Sequence, residues 1–355
     1  MIGARRKGWI GIDVGTQSVK LVQAERQGGQ IELTEALIVR RTEAWPDAVH
    51  DASPAIESSE EIRAGLALGS EFSGRAAAIA LPMSLCDVRT CSIPEGREQE
   101  IRANVAKELA SVLGDVEATR EFDYWAAETP GDRNPSAENA LAASISCEWA
   151  QQVARDMSAS GLVGKVLDVL PTALARAVEL GSPGASRAPV GAIDWGFRRA
   201  TLCAVLHGRP RFVRCLRDSG FSNIISALTK ALSISSEEAQ KLLTDRGLPS
   251  RDGGAVDELQ SVIEDVITEP MNVFVEELAR TIGFLRQQRR ELVPTKFVLF
   301  GGGAAIQNVA PYLAERLDLP TETWTLNGRP TTHNRVPIQL LGPAIALSSL
   351  AWSKG

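Results

Sequence analysis

A strand that ends in aspartate and then turns on a glycine occurs twice in this chain, in equivalent settings. The first copy is Trp9-Ile-Gly-Ile-Asp13-Val-Gly15-Thr-Gln-Ser18, and the second is Val190-Gly-Ala-Ile-Asp194-Trp-Gly196. Residues 9–12 read as a short buried strand. Asp13 closes it, Gly15 turns the chain, and residues 18–24 return as a second strand. Gly28-Gly29 then leads into a third strand at 31–40, just as His207-Gly208-Arg209 leads into one at 211–216. Each half therefore opens with three strands in antiparallel succession, its acidic residue at the first turn. An internal repeat constrains architecture more than any single motif does.

The echo extends further. Residues 140–145 read as a strand feeding a helix that carries Trp149, Val153 and Met157 on one face. Residues 297–300 read as a strand which, after Gly301-Gly302-Gly303, feeds a helix with Ile306, Val309, Leu313 and Leu317 on one face. A strand at 165–169 leads into a helix at 171–180, and one at 336–340 into a helix at 342–351. Both halves are expected to run as three strands, strand–helix, strand–helix. Each is interrupted at the same place. The first interruption holds strands at 76–81, 88–93 and 121–127 and a helix with Ile101, Val105, Leu109 and Val112 on one stripe. The second is helical, with a capping box at Ser235 and Glu238 and a long stretch over 256–289 that Pro270 should kink or break. The expected first lobe is 1–187, with core 1–70 and 140–187 around an inserted subdomain of about 71–139. The expected second lobe is 188–355: core 188–222 and 291–335, insertion about 223–290, and a C-terminal helix at 342–352 packing back toward the first lobe.

Composition narrows the function. Hydrophobic residues make up 44% of the 355 and charged residues 23%, ordinary values for a globular protein. The net charge of −6 argues against nucleic acid as the primary partner. The five cysteines are scattered and read as small buried hydrophobes, and three distant histidines make a histidine metal site improbable. No run of about 18 uncharged apolar residues appears, and no apolar stretch follows the basic residues 1–7, so the chain is expected to be cytoplasmic.

The chemistry at the repeated turn follows from its residue types. Glycine lets backbone approach a phosphate, successive N–H groups face its oxygens, and Asp13 is suited to hold the water shell of Mg. With both Asp-x-Gly turns and the triple glycine in place, the chain resembles the actin-like ATPase superfamily, in its FtsA/PilM branch. Within that branch it is most similar to the PilM-like type IV pilus assembly family. The likeness is carried by Gly11-Ile-Asp-Val-Gly-Thr-Gln-Ser-Val-Lys-Leu-Val22, by residues 89–108, by 159–177, by Ser233-Ile-Ser-Ser-Glu-Glu-Ala-Gln240 and by Val298-Leu-Phe-Gly-Gly-Gly-Ala304 through Leu317. It implies a duplicated actin-like (ribonuclease H-like) α/β fold with two lobes around a nucleotide cleft. It also implies a site for ATP and Mg. Asp13, Gly15, Thr16, Gln17 and Ser18 match the first phosphate loop, Asp194 and Gly196 the second, where Phe197 is also expected to meet the nucleotide, and Gly301, Gly302 and Gly303 the loop beneath the adenosine. Asp13 and Asp194 would hold Mg through water. Glu276 and Arg280 resemble the helix flanking the base and ribose, the alternative being an exposed ion pair along a helix.

Three departures temper that reading. Phe197, Arg198, Arg199 and Ala200 follow the second turn where relatives carry small and hydroxyl residues. Leu170 stands where PilM-like proteins usually carry an acid, and leucine cannot orient a water or take its proton. Asp218-Ser-Gly-Phe221 replaces paired glycines. The expectation is a weak ATPase at most, acting as an assembly protein of a type IV pilus or related secretion machine. The resemblance implies a partner, the cytoplasmic N-terminal segment of an inner-membrane PilN-like protein, docked between the inserted subdomain and the first core. Residues 76–93 and the helix near 101–113 are the candidate walls of that groove. The competing readings are a scaffold that binds no nucleotide and a small-molecule kinase.

Overall fold

The computed structural model describes residues 5–42, 44–45, 58–93, 96–114, 119–126, 140–249, 258–327, 332–333 and 336–352. The loops expected at Ser53-Pro54 and at 130–139 lie outside the described residues. The chain forms two compact units. One comprises Met1–Ala173, Arg209–Val213 and Pro343–Gly355, the other Leu174–Gly208 and Arg214–Gly342.

In the first unit the chain runs β1 (Arg6–Lys7), β2 (Ile10–Val14), β3 (Ser18–Gln27), β4 (Gln30–Arg40), α1 (Ser59–Leu68) and β5 (Ala76–Leu81). It continues as β6 (Asp87–Cys91), α2 (Glu98–Leu113), β7 (Arg120–Ala126), β8 (Ala140–Ser146), α3 (Cys147–Ala159), β9 (Val163–Val169) and the start of α4 (Leu170–Gly181). The main sheet has the order β1-β3-β2-β5-β9, with β4 on β3. Strands β2, β3 and β4 pair antiparallel, whereas β5 and β9 join in parallel. One sheet face packs Ile10, Ile12 and Ile79 against Ile62 of α1 and Trp149, Val153 and Met157 of α3. The other packs Ala78 and Ala80 against Ala173 and Leu347. Covering on both faces explains why Ala76–Leu81, the central parallel strand, is almost continuously apolar.

That pairing corrects the expected subdomain boundary. Residues 76–81, expected in the insertion, lie in the main sheet beside β2. Residues 140–145, expected in the core, form β8, the middle strand of a small sheet ordered β6-β8-β7. The helix α2 packs on this sheet, with Val105 and Leu109 against Cys91, Ala140 and Ala142. The insertion is therefore β6-α2-β7-β8.

The second unit holds β10 (Val190–Trp195), β11 (Ala200–Leu206) and the end of β12 (Arg209–Leu216), then α5 (Phe221–Leu232), α6 (Ser236–Asp245) and α7 (Glu258–Gln288). It closes with β13 (Lys296–Phe300), α8 (Val309–Leu317) and β14 (Thr321–Thr323). Its sheet runs β12-β11-β10-β13-β14. Counted from the aspartate-bearing strand, this is the order third, second, first, fourth, fifth, the same as β4-β3-β2-β5-β9. The repeat read in the sequence is thus a repeat of topology.

Three more expectations change. The fifth strand is Thr321–Thr323, parallel to β13. The segment at 336–340 instead gives β16 (Val336–Pro337), paired only briefly with β15 (Thr332–His333), before a 3-10 turn at Ile338–Leu340. Pro337 has no N–H to extend a ladder. The helix α7 runs through Pro270 as one element of 31 residues. Finally, the units part within α4, at Ala173 and Leu174, rather than at 187. The back of that helix is held in the second unit, where Trp324 donates its indole N–H to the Ala177 carbonyl at 2.8 Å. At the chain's end, α9 (Gly342–Ser348) brings Ser348 to the first unit. Its hydroxyl donates to Trp9 O at 2.7 Å and accepts from Ala24 N at 3.1 Å.

Candidate functional site

The first turn begins at the end of β2. Asp13 is only 8% exposed, and its register partner on β3 is Lys20. The Lys20 ammonium donates to Asp13 Oδ2 at 2.6 Å. Gly15 N donates to Ser18 O at 2.9 Å and closes the turn that holds Thr16 and Gln17. A Cβ on Gly15 would sit 2.9 Å from that same carbonyl, so the turn is tight because the residue is glycine. This turn carries one acid and one base in contact, beside backbone at its closest approach.

A second layer fixes the turn's shape. Gln17 O accepts from Arg41 N at 2.9 Å, Thr16 O from Trp45 N at 2.8 Å, and Gly15 O from Arg41 Nε at 3.1 Å. The Arg41 guanidinium also donates to Ser58 Oγ at 2.9 Å, pairs with Glu61 at 3.0 Å and lies 3.9 Å over the Trp45 ring. Burial lowers the Arg41 pKa, and the neighbouring Glu61 carboxylate pulls it back up. Sequence reasoning passed over both Lys20 and Arg41. Lys20 was signalled only by strand alternation opposite Asp13; Arg41 reaches the turn across long chain separations that no local pattern carries.

In the second unit, three candidate elements converge on one carboxylate. Asp194 is the penultimate residue of β10, beside Phe300 of β13. A Cβ on Gly301 would meet Asp194 Oδ1 at 2.7 Å, and one on Gly196 would lie 3.6 Å from Oδ2. Gly301 has φ +81°, a left-handed conformation that only glycine adopts without strain. Gly303 lies directly on the Trp195 indole, 2.2 Å from where its Cβ would stand. That indole stacks on Phe274 of α7 at 4.0 Å and donates to Ser219 O at 2.9 Å. One tryptophan thus supports the glycine loop, the long helix and the segment that opens α5.

The departures also have places. The first amides of α5 are taken by the second turn: Phe221 N donates to Gly196 O at 3.0 Å and Ser222 N to Phe197 O at 2.8 Å. The Arg198 guanidinium stacks 5.6 Å from the Phe197 ring. Leu170 is buried at the start of α4. Glu276 is exposed on α7, and Arg280 pairs not with it but with Glu277, at 2.6 Å. Glu277 also accepts from Arg214 at 2.8 Å. Among the described residues no cluster of three or more His, Cys, Asp or Glu side chains is arranged to hold a metal ion. Any Mg at Asp13 or Asp194 would need oxygens from water and phosphate, which is how Mg usually binds.

The first unit has a groove of its own, of about 320 Å³, where the small sheet meets the end of the main one. Its floor is apolar, with Leu81, Ala143 and Ile145. One wall is β7, with Glu121, Asp123 and Trp125; the other is the end of β9, with Leu167, Asp168 and Val169. Trp125 is held by its indole N–H, which donates to Pro210 O at 2.8 Å. Asp168 Oδ1 accepts from Val169 N at 2.8 Å and from the Thr172 hydroxyl, opening α4. Cys86 borders the groove, and burial pushes its thiol up to about 12, which leaves it a neutral thiol at physiological pH. Of the walls expected from sequence, residues 76–93 contribute Leu81 and Cys86; α2 is committed to the core of the small sheet.

Two sheets of one strand order, each with an aspartate at its first turn, define the duplicated actin-like ATPase fold. The chain belongs to the type IV pilus assembly protein PilM family, whose model matches residues 11–344. Among solved structures it is similar to a PilM-PilN type IV pilus biogenesis complex, with 19% identity, 98% of this chain and 99% of that one covered, and a TM-score of 0.75. It is also similar to the ethanolamine utilization protein EutJ from Carboxydothermus hydrogenoformans, at 15% identity, 97% and 89% coverage and a TM-score of 0.55. No helix among the described residues is long and apolar enough to cross a membrane.

Proposed function

We propose that this protein is an actin-like, nucleotide-binding assembly factor of a type IV pilus or related secretion machine. It works at the cytoplasmic face of the inner membrane, where it holds the cytoplasmic N-terminal segment of a PilN-like membrane protein. The observation that carries the partner half of this reading is the groove lined by β7, β8 and β9, an open apolar trough of about 320 Å³ in a family named for pilus assembly. The solved relative that was captured with PilN supports the choice of partner. The test is amide exchange on the full chain with and without a synthetic copy of that N-terminal segment. Protection is expected in 120–126 and 163–169. Protection confined to the second unit would refute the assignment.

Nucleotide binding rests on the two aspartate turns. Lys20 and the amides of residues 15–18 would meet phosphate, Asp13 and Asp194 would hold the water shell of Mg, and Gly301 to Gly303 would lie under the adenosine. The metal's part is to neutralise phosphate charge. Leu170 stands where the resemblance implies an acid, and a leucine takes no proton from water, which supports slow hydrolysis at most. A second reading, a scaffold without nucleotide, is favoured by the Asp13–Lys20 pair and by the capped amides of α5. Calorimetry with Mg-ATP separates the two.

A further inference from the structure

The two aspartate turns share a backbone plan but place their charges differently. Asp13 lies opposite Lys20 in its ladder, whereas Asp194 lies opposite Thr201, which is neutral and buried. In each turn the glycine packs on a carbonyl further along. A Cβ on Gly15 would stand 2.9 Å from Ser18 O, and one on Gly196 would stand 3.0 Å from Arg199 O. Gln17 and Ser18 therefore correspond to Arg198 and Arg199, and Lys20 to Thr201. The cation sits on the strand in the first turn, where Lys20 holds its aspartate, and at the tip in the second.

The two tip arginines are used differently. Arg199 turns to β12, where its guanidinium lies 3.8 Å from Cys215 Sγ. Arg198 lies over the Phe197 ring, and its Nε is buried with no hydrogen-bond partner among the described residues. A buried donor without an acceptor is costly, so its acceptor is to be sought in what binds there. Beside it is a second such group. Ser219 is only 4% exposed, and its hydroxyl also lacks a partner among the described residues. The two are neighbours through Gly220, whose Cβ would stand 2.3 Å from Arg198 O. A phosphate at a helix start is ordinarily met by the first amides. In α5 those of Phe221 and Ser222 are given to the carbonyls of Gly196 and Phe197, so the task falls to side chains.

We infer that Arg198, with Ser219 beside it, is the phosphate-binding cation of the second turn, and that it shares with Mg the neutralisation of the nucleotide's outer phosphates. This rests on the nucleotide reading proposed above and adds which group of this chain carries the phosphate charge. A guanidinium suits the task, because its planar fork of N–H donors matches two phosphate oxygens at once. Affinity then depends on the number of phosphates more than on the base. ATP also keeps much of its affinity when metal is withheld, since a cation built into the turn stays in place.

The experiment titrates ATP and AMP into the full chain by calorimetry, each with Mg and with EDTA. Wild type is compared with Arg198→Ala, Arg198→Lys and Ser219→Ala, and melting curves without nucleotide verify folding. Arg198→Ala should weaken ATP by about tenfold or more and AMP by less than about twofold, with the larger ATP loss in EDTA. Arg198→Lys, which keeps the charge without the fork, should recover part of that loss. Ser219→Ala removes a hydroxyl that makes no hydrogen bond within the protein, so it should melt no lower than wild type yet bind ATP about threefold more weakly or worse. An Arg198→Ala protein that binds ATP as wild type does, or that loses ATP and AMP equally, would overturn this inference and leave the nucleotide reading intact. Full ATP affinity in Ser219→Ala would strike Ser219 from the site. A wild type that binds neither nucleotide, with or without Mg, would overturn the nucleotide reading and this inference with it.

Discussion

Replacing Arg41 with alanine tests whether the first turn is shaped from outside. The substitution removes an ion pair to Glu61, two side-chain hydrogen bonds, and the stack on Trp45. The Arg41 side chain is 2% exposed and that of Glu61 17%, so the carboxylate is left largely dry and without its cation. Removing one partner of such a buried pair costs about 3–5 kcal/mol. Because Glu61 keeps some water, we take the lower end, about 3 kcal/mol. At about 2–4 °C per kcal/mol for a unit of this size, the melting transition should fall by about 6–12 °C. The assay is calorimetric melting of Arg41→Ala, Glu61→Ala and the double variant. The double variant should melt well above the sum of the two losses, since neither charge is then stranded. Losses that add within about 0.5 kcal/mol would refute the pairing and with it the proposed clamp.

Other outcomes follow from single contacts. Gly301→Ala forces a side chain into a left-handed backbone position and toward Asp194 Oδ1, so Mg-ATP affinity should fall by about tenfold or more, read by titration; unchanged affinity would remove this loop from the site. Glu238, at the third residue of α6, accepts from Ser235 N and the Ser235 hydroxyl, which hold its pKa below the ordinary value. A carboxylate depressed in the folded state adds stability above its unfolded pKa and loses it as pH falls through the folded one. Glu238→Gln should therefore destabilise at neutral pH and converge with wild type on acidification below the usual glutamate range, as urea melts at several pH values would show. Native Cys86 should resist iodoacetamide at pH 8 and react after unfolding, as mass spectrometry would report.

What was legible in the sequence is what local chemistry dictates. The Ser235–Glu238 capping box forms as read, because its partners sit three residues apart. The Asp13 turn also forms as read, because a glycine and a short loop define it. Strand partners were less legible. Ala76–Leu81 and Ala140–Ser146 are both short, small and apolar, so periodicity makes each a strand without saying which sheet it enters. Burial on both faces decides for the first, and pairing with β6 and β7 for the second. The pocket beside β9 was not legible at all. Its acids lie on β7 and β9, far apart in sequence, where no local pattern joins them. Position 280 shows the limit of spacing arguments. Arg280 had carboxylates at both three and four residues' distance, and it pairs with the nearer, Glu277, which Arg214 also holds.

The proposal that each aspartate turn takes part in binding nucleotide is tested most directly by titration calorimetry with Mg-ATP. Wild type, Asp13→Asn and Asp194→Asn are compared, each verified by its melting curve. The account predicts a single saturable site in wild type and at least about a tenfold weaker one in each variant. A wild type that gives no heat and no thermal shift, or two variants that bind as wild type does, would contradict it.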